Sequence, residues 1–529
     1  MSNKKFQIWL PLLLSVVMIV GMFMGYKMRD AMPGKSFFYN AKPNTIQEVV
    51  DLINSRYVDA IDNKTITDTA IQAILSKLDP HSVYIPAADV AQTNEEIKGS
   101  FYGVGIEYSF LNDTLNVTNV LKDGPSAKAG ILIGDKIIKA GDSTVSGKKV
   151  KQENVRSIFR GAKDTDIKVA ILRNGSLQNI TITRGLVPIY SLDVAYMLDS
   201  TTGFIRLNKF STQTYREFMT SILSLKQKGM KSLVLDLRGN GGGVLEEATE
   251  IADEFIEGDK LITYTEGLHA PKKEFRCRRQ GQFEQGKLIV LADEGTASAS
   301  EVLLGALQDW DRATIVGRRT FGKGLVQEQF NLNNNAALRL TIARYYTPIG
   351  RSIQRPYNNG SKQYYAAITN RMNDGEMVSA DSVKNDTTKV YKSKAGKKLY
   401  GNGGITPDYF VAADTSKISA TFASLYQKGT LSNFGYAYYQ QQKANLAQYK
   451  TANDFVSRFN VNENAWQYFE TLAKTDSIAI SSISTTEKVF LEKSLKAAIA
   501  RQLFRLDGYF QVQNKDDQFI IKALQIAHQ

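Results

Sequence analysis

Two stretches of this chain constrain its fold more than any others. "KSLVLDLRGNGGGVLEEATEIADEFI" and "GKLIVLADEGTASASEVLLGALQDW" each run from a short apolar segment, through a turn, into apolar residues at helical spacing. "ATIVG" opens a third unit of the same kind. Strand-helix repeats give a largely parallel sheet covered by helices, because neighbouring parallel strands need a crossover connection. Functional groups in such sheets gather at the carboxyl ends of the strands. Both turns, Arg238 to Gly243 and Glu294 to Ser298, fall there.

At 529 residues the chain exceeds one ordinary domain. Residues 43–97 read as a helical unit: "TIQEVVDLINSRYV" and "ITDTAIQAILSKL" carry helical periodicity, with Thr45 and Thr67 near their starts as caps, and "LDPHSVYIP" ends the unit. Residues 98–186 change to short alternating runs separated by turns, with helices at "SAKAGI" and "QENVRSIFRG". That is a small β domain with two helices. The strand-helix core occupies 187–412, interrupted at 355–401 by a polar stretch that reads as a surface insertion. Helical patterns return over 413–529. The fold class is multidomain α/β.

Lys4 and Lys5 precede "FQIWLPLLLSVVMIVGMFMGY", and Lys27 follows it. About 20 apolar residues cross a bilayer, so residues 1–27 read as a membrane anchor or signal, with 28–42 as a linker. The run is long for a signal core and lacks a clean A-x-A site, which favours an uncleaved anchor. Lys27 and Arg29 offset Lys4 and Lys5, so flanking charge leaves the orientation open. The body is expected to be extracytoplasmic, and periplasmic in a bacterium with two membranes.

Hydrophobic residues at 43% and charged residues at 22% exclude a wholly disordered chain and a polytopic membrane protein. The net charge of +13 is scattered, without an aromatic-interleaved basic face, so nucleic acid is not an expected partner. The single cysteine, Cys277, allows no intrachain disulfide. The three histidines, His81, His269 and His528, lack ligand spacing, so no metal or other cofactor is expected. His81, flanked by proline, reads as structural.

Around Lys323, "VGRRTFGKGLVQEQF" admits two readings. Gly317, four residues, then Gly322-Lys323 approaches a phosphate-cradling loop. Such a loop needs Ser or Thr after the lysine and should open a helix. Here Gly324 follows, and "LVQEQFNL" alternates as a strand does. The rival reading makes Lys323 a base. Glycines on both sides let the backbone pack closely, Phe321 and Leu325 exclude water, and burial lowers a lysine pKa from about 10.4 by up to roughly 3 to 5 units. In a strand Lys323 and Gln327 share a face, so the Gln327 amide can hold the amine without adding charge. Ser298 stands where a strand-following turn becomes a helix, which suits a nucleophile beside an oxyanion site and equally suits a simple helix cap. The glycines of "DLRGNGGG" let backbone amides approach a substrate carbonyl.

"DLRGNGGG", "GTASASEVL", "RTFGKGLVQ" and "YYTPIGRSI", in this order, resemble the carboxy-terminal processing peptidases, or tail-specific proteases. "YVD" at Tyr57, "LDPHS" at Leu78, "FYGVG" at Phe101 and "GGITPD" at Gly403 match the same family, so the resemblance spans roughly 45–408. It implies a crotonase-like core of βα repeats with an inserted PDZ domain. It also implies Ser298 as nucleophile, Lys323 as general base and Gln327 as the residue that orients the lysine. Ala299 and a glycine of the Gly241 to Gly243 run, Gly243 ahead of Gly242, would form the oxyanion hole. Gly103, Val104, Gly105 and Ile106 would bind the carboxyl terminus of a substrate, whose chain adds a strand to the PDZ sheet. Arg160 either couples the PDZ domain to the active site or is a surface arginine. Many members carry proline where Gly241 stands, and their "GI-x-PD" follows "GRSIQ" closely, without the 355–401 segment.

The expected activity is a serine endopeptidase that recognises protein carboxyl termini and cleaves nearby through an acyl-enzyme. Its alternatives are a non-catalytic PDZ scaffold and an NTPase. Expected partners are proteins or peptides with free carboxyl termini and the membrane. An adaptor protein and a second copy of the chain are open additions.

Overall fold

The computed structural model describes residues 4–31, 45–148, 150, 152–414 and 419–529. Residues up to Ile71 and residues from Gln72 onward are separate compact units. The first contains the helix Lys4–Ala31, whose stretch Trp9–Lys27 is long and apolar enough to cross a membrane. The helix continues past the expected end of the anchor at residue 27, and 32–42 of the expected linker lies outside the described residues. Helix Thr45–Arg56 follows. The next helix starts at Asn63, earlier than a cap at Thr67 requires. Asp62 does the capping, accepting from the Lys64 N–H at 3.0 Å and the Thr65 hydroxyl at 2.5 Å.

In the second unit the central sheet runs Leu192–Met197, Thr202–Leu207, Ser232–Asp236, Lys287–Ala292, Thr314–Gly317, Tyr409–Phe410. Its first pair is antiparallel and every later pair parallel, as crossover helices demand. Alternation splits each strand between two layers. Ile205, Leu207, Leu233, Leu235, Val290 and Ala292 face the core beneath helices Thr214–Gln227, Leu245–Asp253 and Ala299–Asp309. Phe204, Val234, Ile289, Leu291 and Val316 face the other way, onto Phe519, Ile520, Ala523 and Ile526 of the terminal helix Gln518–Ala527. A sheet apolar on both faces must be covered on both, and the tail supplies the second cover.

A second, antiparallel sheet pairs Val83–Ile85, Ala337–Tyr346, Leu261–Glu266 and Lys273–Arg276 in that order, with Leu325–Asn331 also on Ala337–Tyr346. Residues Ile106–Thr183 build their own sheet and core around Leu115, Val117, Ile137, Val169 and Ile171, with Ile106–Leu111 as an edge strand. The helices from Ala420 to Asn514 enclose a further core around Phe434, Phe455, Phe469, Leu491 and Leu495.

The segment 355–401 is exposed over most of its length, but one side of it is buried. Arg355, Tyr364, Arg371 and Glu376 are buried, because its helix Ser361–Asn373 packs on the loop that carries Lys323. Polar composition concealed this: these buried side chains are charged or aromatic, and their hydrogen bonds or ring contacts are made within the protein.

Candidate active site

Ser298 directly precedes the wholly buried helix Ala299–Asp309, at the carboxyl end of the strand Lys287–Ala292. Its φ of 57° and ψ of −118° lie where L-residues rarely sit, a strain of about 1–3 kcal/mol that a functional turn tolerates. Lys323 lies in the loop between the parallel strand Thr314–Gly317 and the antiparallel strand Leu325–Asn331.

Two buried groups bind the Ser298 and Lys323 segments together. The Glu301 carboxylate accepts from the backbone N–H groups of Ser298 at 2.9 Å, Lys323 at 2.9 Å and Gly322 at 2.7 Å, and from the Thr320 hydroxyl at 2.5 Å. Burial nevertheless pushes its carboxyl up to about 7. The Tyr345 hydroxyl donates toward the carbonyls of Ser298 at 3.2 Å and Lys323 at 2.8 Å. Gln354 receives the Gly324 N–H at 2.7 Å.

The Lys323 amine donates to Gln327 Oε1 at 3.0 Å, and Gln327 Nε2 donates to the carbonyl of His81. Burial, with the nearby Arg339 guanidinium, holds the Lys323 amine below the ordinary lysine range. No hydrogen bond joins Ser298 Oγ to Lys323 Nζ among the described residues. The pairing of Lys323 with Gln327 does not arise from a continuous strand, as expected above. The strand starts at Leu325, two residues later, and its ladder has a bulge between Val326 and Gln327. A bulge re-aims a side chain, and this one offsets the irregular backbone at Lys323.

The glycine turn lies against Ser298. Asn240, fully buried, accepts the Ala297 N–H at 2.9 Å and the Ser300 hydroxyl at 3.0 Å on its carbonyl. Its side chain accepts the Gly242 N–H at 2.9 Å. A Cβ on Gly242 would stand 2.8 Å from both Ala299 N and Ser298 Cβ. The Gly242 N–H is thus committed, whereas those of Gly243 and Ala299 have no acceptor among the described residues.

His81 belongs to this site rather than to a helical unit. Asp79 accepts its backbone N–H at 2.7 Å, and the segment leads into the strand Val83–Ile85 of the second sheet. Burial, with the charge of Lys323, lowers its imidazole to about 4. Gly103 ends the strand Ser100–Gly103, Val104 and Gly105 form the turn, with Val104 buried and Gly105 at a φ of 73°, and Ile106 opens the edge strand Ile106–Leu111. Arg160 is not a free surface residue. It bridges Gly103 through the backbone, stacks 4.5 Å over Phe101 and donates to Glu95 at 2.7 Å. The neighbouring Asn94 accepts from Gln329, two residues beyond Gln327, at 3.0 Å.

Residues 201–360 match Peptidase family S41, 103–183 a PDZ domain, 27–88 the activating protease CtpB N-terminal domain, and 421–505 a family of unknown function. A carboxy-terminal-processing protease of Bartonella bacilliformis is 35% identical over 313 residues, 58% of this chain and 71% of that protein. The chain belongs to the carboxy-terminal processing peptidases. A probable CtpA-like serine protease of Staphylococcus epidermidis is 33% identical to this processing peptidase over 58% of the chain and 62% of its own length. The photosystem II D1 C-terminal processing protease structure covers 70% of this chain and 86% of its own, at 23% identity and a TM-score of 0.36.

Glu301, Asn240 and Tyr345 of this processing peptidase join the site without having stood out in the sequence. Ser298-x-x-Glu301 is a capping-box spacing and could have revealed Glu301. Tyr345, 47 residues from Ser298, carries no local signal.

Proposed function

We propose that this processing peptidase cleaves near protein carboxyl termini by a Ser-Lys mechanism in a crotonase-like core spanning 187–412, with a PDZ domain over 98–186. Ser298 Oγ attacks the scissile carbonyl and gives its proton to the neutral amine of Lys323, which passes it to the leaving amine. Water then hydrolyses the acyl-Ser298 ester. Gln327 holds the amine as a neutral acceptor, and the free N–H groups of Gly243 and Ala299 receive the developing oxyanion. The loop Gly103, Val104, Gly105 and Ile106 takes the terminal carboxylate, and the edge strand Ile106–Leu111 pairs with the peptide. Arg160, through Glu95 and the adjacent Asn94 to Gln329, couples that loop to the strand carrying Gln327. The helix Lys4–Ala31 anchors an extracytoplasmic body to the membrane.

The observation that carries this reading is the Glu301 carboxylate, which holds the Ser298 and Lys323 backbones while Gln327 holds the amine. A fluorogenic peptide with a free carboxyl terminus, compared with its amidated form, supplies the test. Ser298→Ala is expected to abolish cleavage and keep binding, and amidation to weaken binding. Unchanged cleavage by Ser298→Ala overturns the assignment.

A further inference from the structure

The segment between "GRSIQ" and "GGITPD" converges on the surroundings of Lys323 from two sides. On one side, helix Ser361–Asn373 grips Pro80 and His81 with consecutive residues. The Tyr364 hydroxyl lies 3.0 Å from His81 Nε2, its ring edge-on to the imidazole with centroids 5.2 Å apart, and the Tyr365 hydroxyl donates to the Pro80 carbonyl at 2.7 Å. His81 is also the residue whose carbonyl receives Gln327 Nε2. On the other side, the buried Arg371 donates to the carbonyls of Thr320 at 2.9 Å and Arg319 at 2.6 Å, in the loop that carries Lys323. Glu376 joins Arg371 and Arg319. Between the two grips, the Arg355 guanidinium stacks 4.2 Å from both the Phe321 and Tyr364 rings, and its nitrogens meet no hydrogen-bond acceptor among the described residues.

Burying an arginine is costly unless its charge is met by partners. Here its charge is met by two aromatic faces, an arrangement that holds only while Tyr364 and Phe321 stay in register. The helix therefore contacts the holder of Gln327 and the loop of Lys323 at once.

We propose that the 355–401 segment is a clamp on the catalytic base, and that Tyr364 and Tyr365 are positioning residues that fix the His81 carbonyl, and through it Gln327 and the Lys323 amine. This rests on Lys323 being the base. Neither tyrosine touches substrate. The clamp sets where Gln327 stands, and it keeps water from the amine. The charged and titratable groups around Lys323 are Glu301 on the buried helix, Asp79 and His81 on the preceding segment, and Arg339 on the neighbouring strand. Of the clamp's own groups, Arg355 and Tyr364 face His81; Tyr364→Phe and Tyr365→Phe leave the Arg355 charge in place, so loosening the clamp changes chiefly the hydration of the amine.

The test uses the full chain and the fluorogenic peptide. Tyr364→Phe and Tyr365→Phe each remove one hydroxyl and keep the ring. Each is expected to lower kcat about three- to tenfold, the worth of one hydrogen bond, with KM and peptide binding unchanged. With the amine better hydrated, the acid limb of the pH-rate profile should move to higher pH. Tyr364→Phe combined with Tyr365→Phe should move it further. Parent-like kcat and profile in both single variants overturn the proposal. A lower kcat on an unshifted profile, alongside a lower melting temperature, also overturns it, because that pattern marks a merely structural helix. Lys323→Ala separates the two readings: if it retains cleavage, the base assignment fails. If it is inactive while the tyrosine variants behave as the parent, the clamp alone fails.

Discussion

The Glu301 carboxylate accepts the backbone N–H of Lys323 at 2.9 Å, although the two residues lie on different elements 22 positions apart. The same carboxylate receives the N–H of Ser298, so one buried side chain sets the distance between the two backbones. In Glu301→Gln one of the two acceptor oxygens becomes an NH2 donor, so two of the four donors lose their acceptor. It is expected to lower kcat/KM about a hundredfold, because small displacements of reacting groups cost that much.

The same residue makes a thermodynamic prediction. Burial raises its carboxyl to about 7 in the folded protein, from an ordinary 4.5. The folded state therefore holds this proton more tightly than the unfolded chain. Its contribution to stability is complete below 4.5 and is lost as pH rises to about 7. Melting temperatures measured across that window should fall in the parent, and Glu301→Gln should flatten that part of the curve.

The glycines of the turn proposed to hold the oxyanion are not equivalent. Gly242 has a φ of 92°, and a Cβ there would stand 2.7 Å from the Ala297 carbonyl. A Cβ on Gly241 meets nothing within 4 Å. Gly241→Ala should keep activity within about threefold, while Gly242→Ala should abolish it. Steady-state cleavage by the two purified variants decides this.

These contrasts also show what the sequence could reveal. Strand-helix periodicity exposed the parallel sheet and the turns at Gly242 and Ser298, because both follow from local patterning. The pairing of Lys323 with Gln327 was legible, but its cause was not: a bulge depends on the neighbouring strand Ala337–Tyr346. The places of His81, Tyr364 and Arg371 beside Lys323 were not legible for a related reason. Each is polar and sits in a polar or proline-rich stretch, and their partners lie far along the chain: Tyr364 is 283 positions from His81, and Arg371 is 51 from Thr320.

The tail is structural for the protease core. Phe519 packs on the sheet beside Val234 and Leu291, with the Arg238 and Arg318 guanidinium groups 4.6 and 5.2 Å from its ring. Phe519→Ala is expected to cost about 3–5 kcal/mol, read as a lower denaturation midpoint. Peptide binding by the PDZ domain, which has its own core, should be unaffected.

The depressed pKa of Lys323 has burial as its first cause and Arg339 as its second. A base must be neutral, so kcat/KM should rise with pH through the lysine's pKa. Arg339→Gln removes a like charge, raises that pKa and should move the acid limb to higher pH. A shift to lower pH would contradict the assignment of that limb to Lys323.

The central claim is that Ser298 becomes acylated with Lys323 as its base. Peptide digests of the full chain, quenched during turnover of a slow ester substrate and analysed by mass spectrometry, test it most directly. An acyl adduct is expected on Ser298 in the parent, and none in Lys323→Ala. An adduct on another residue, or one that forms equally fast in Lys323→Ala, would contradict it.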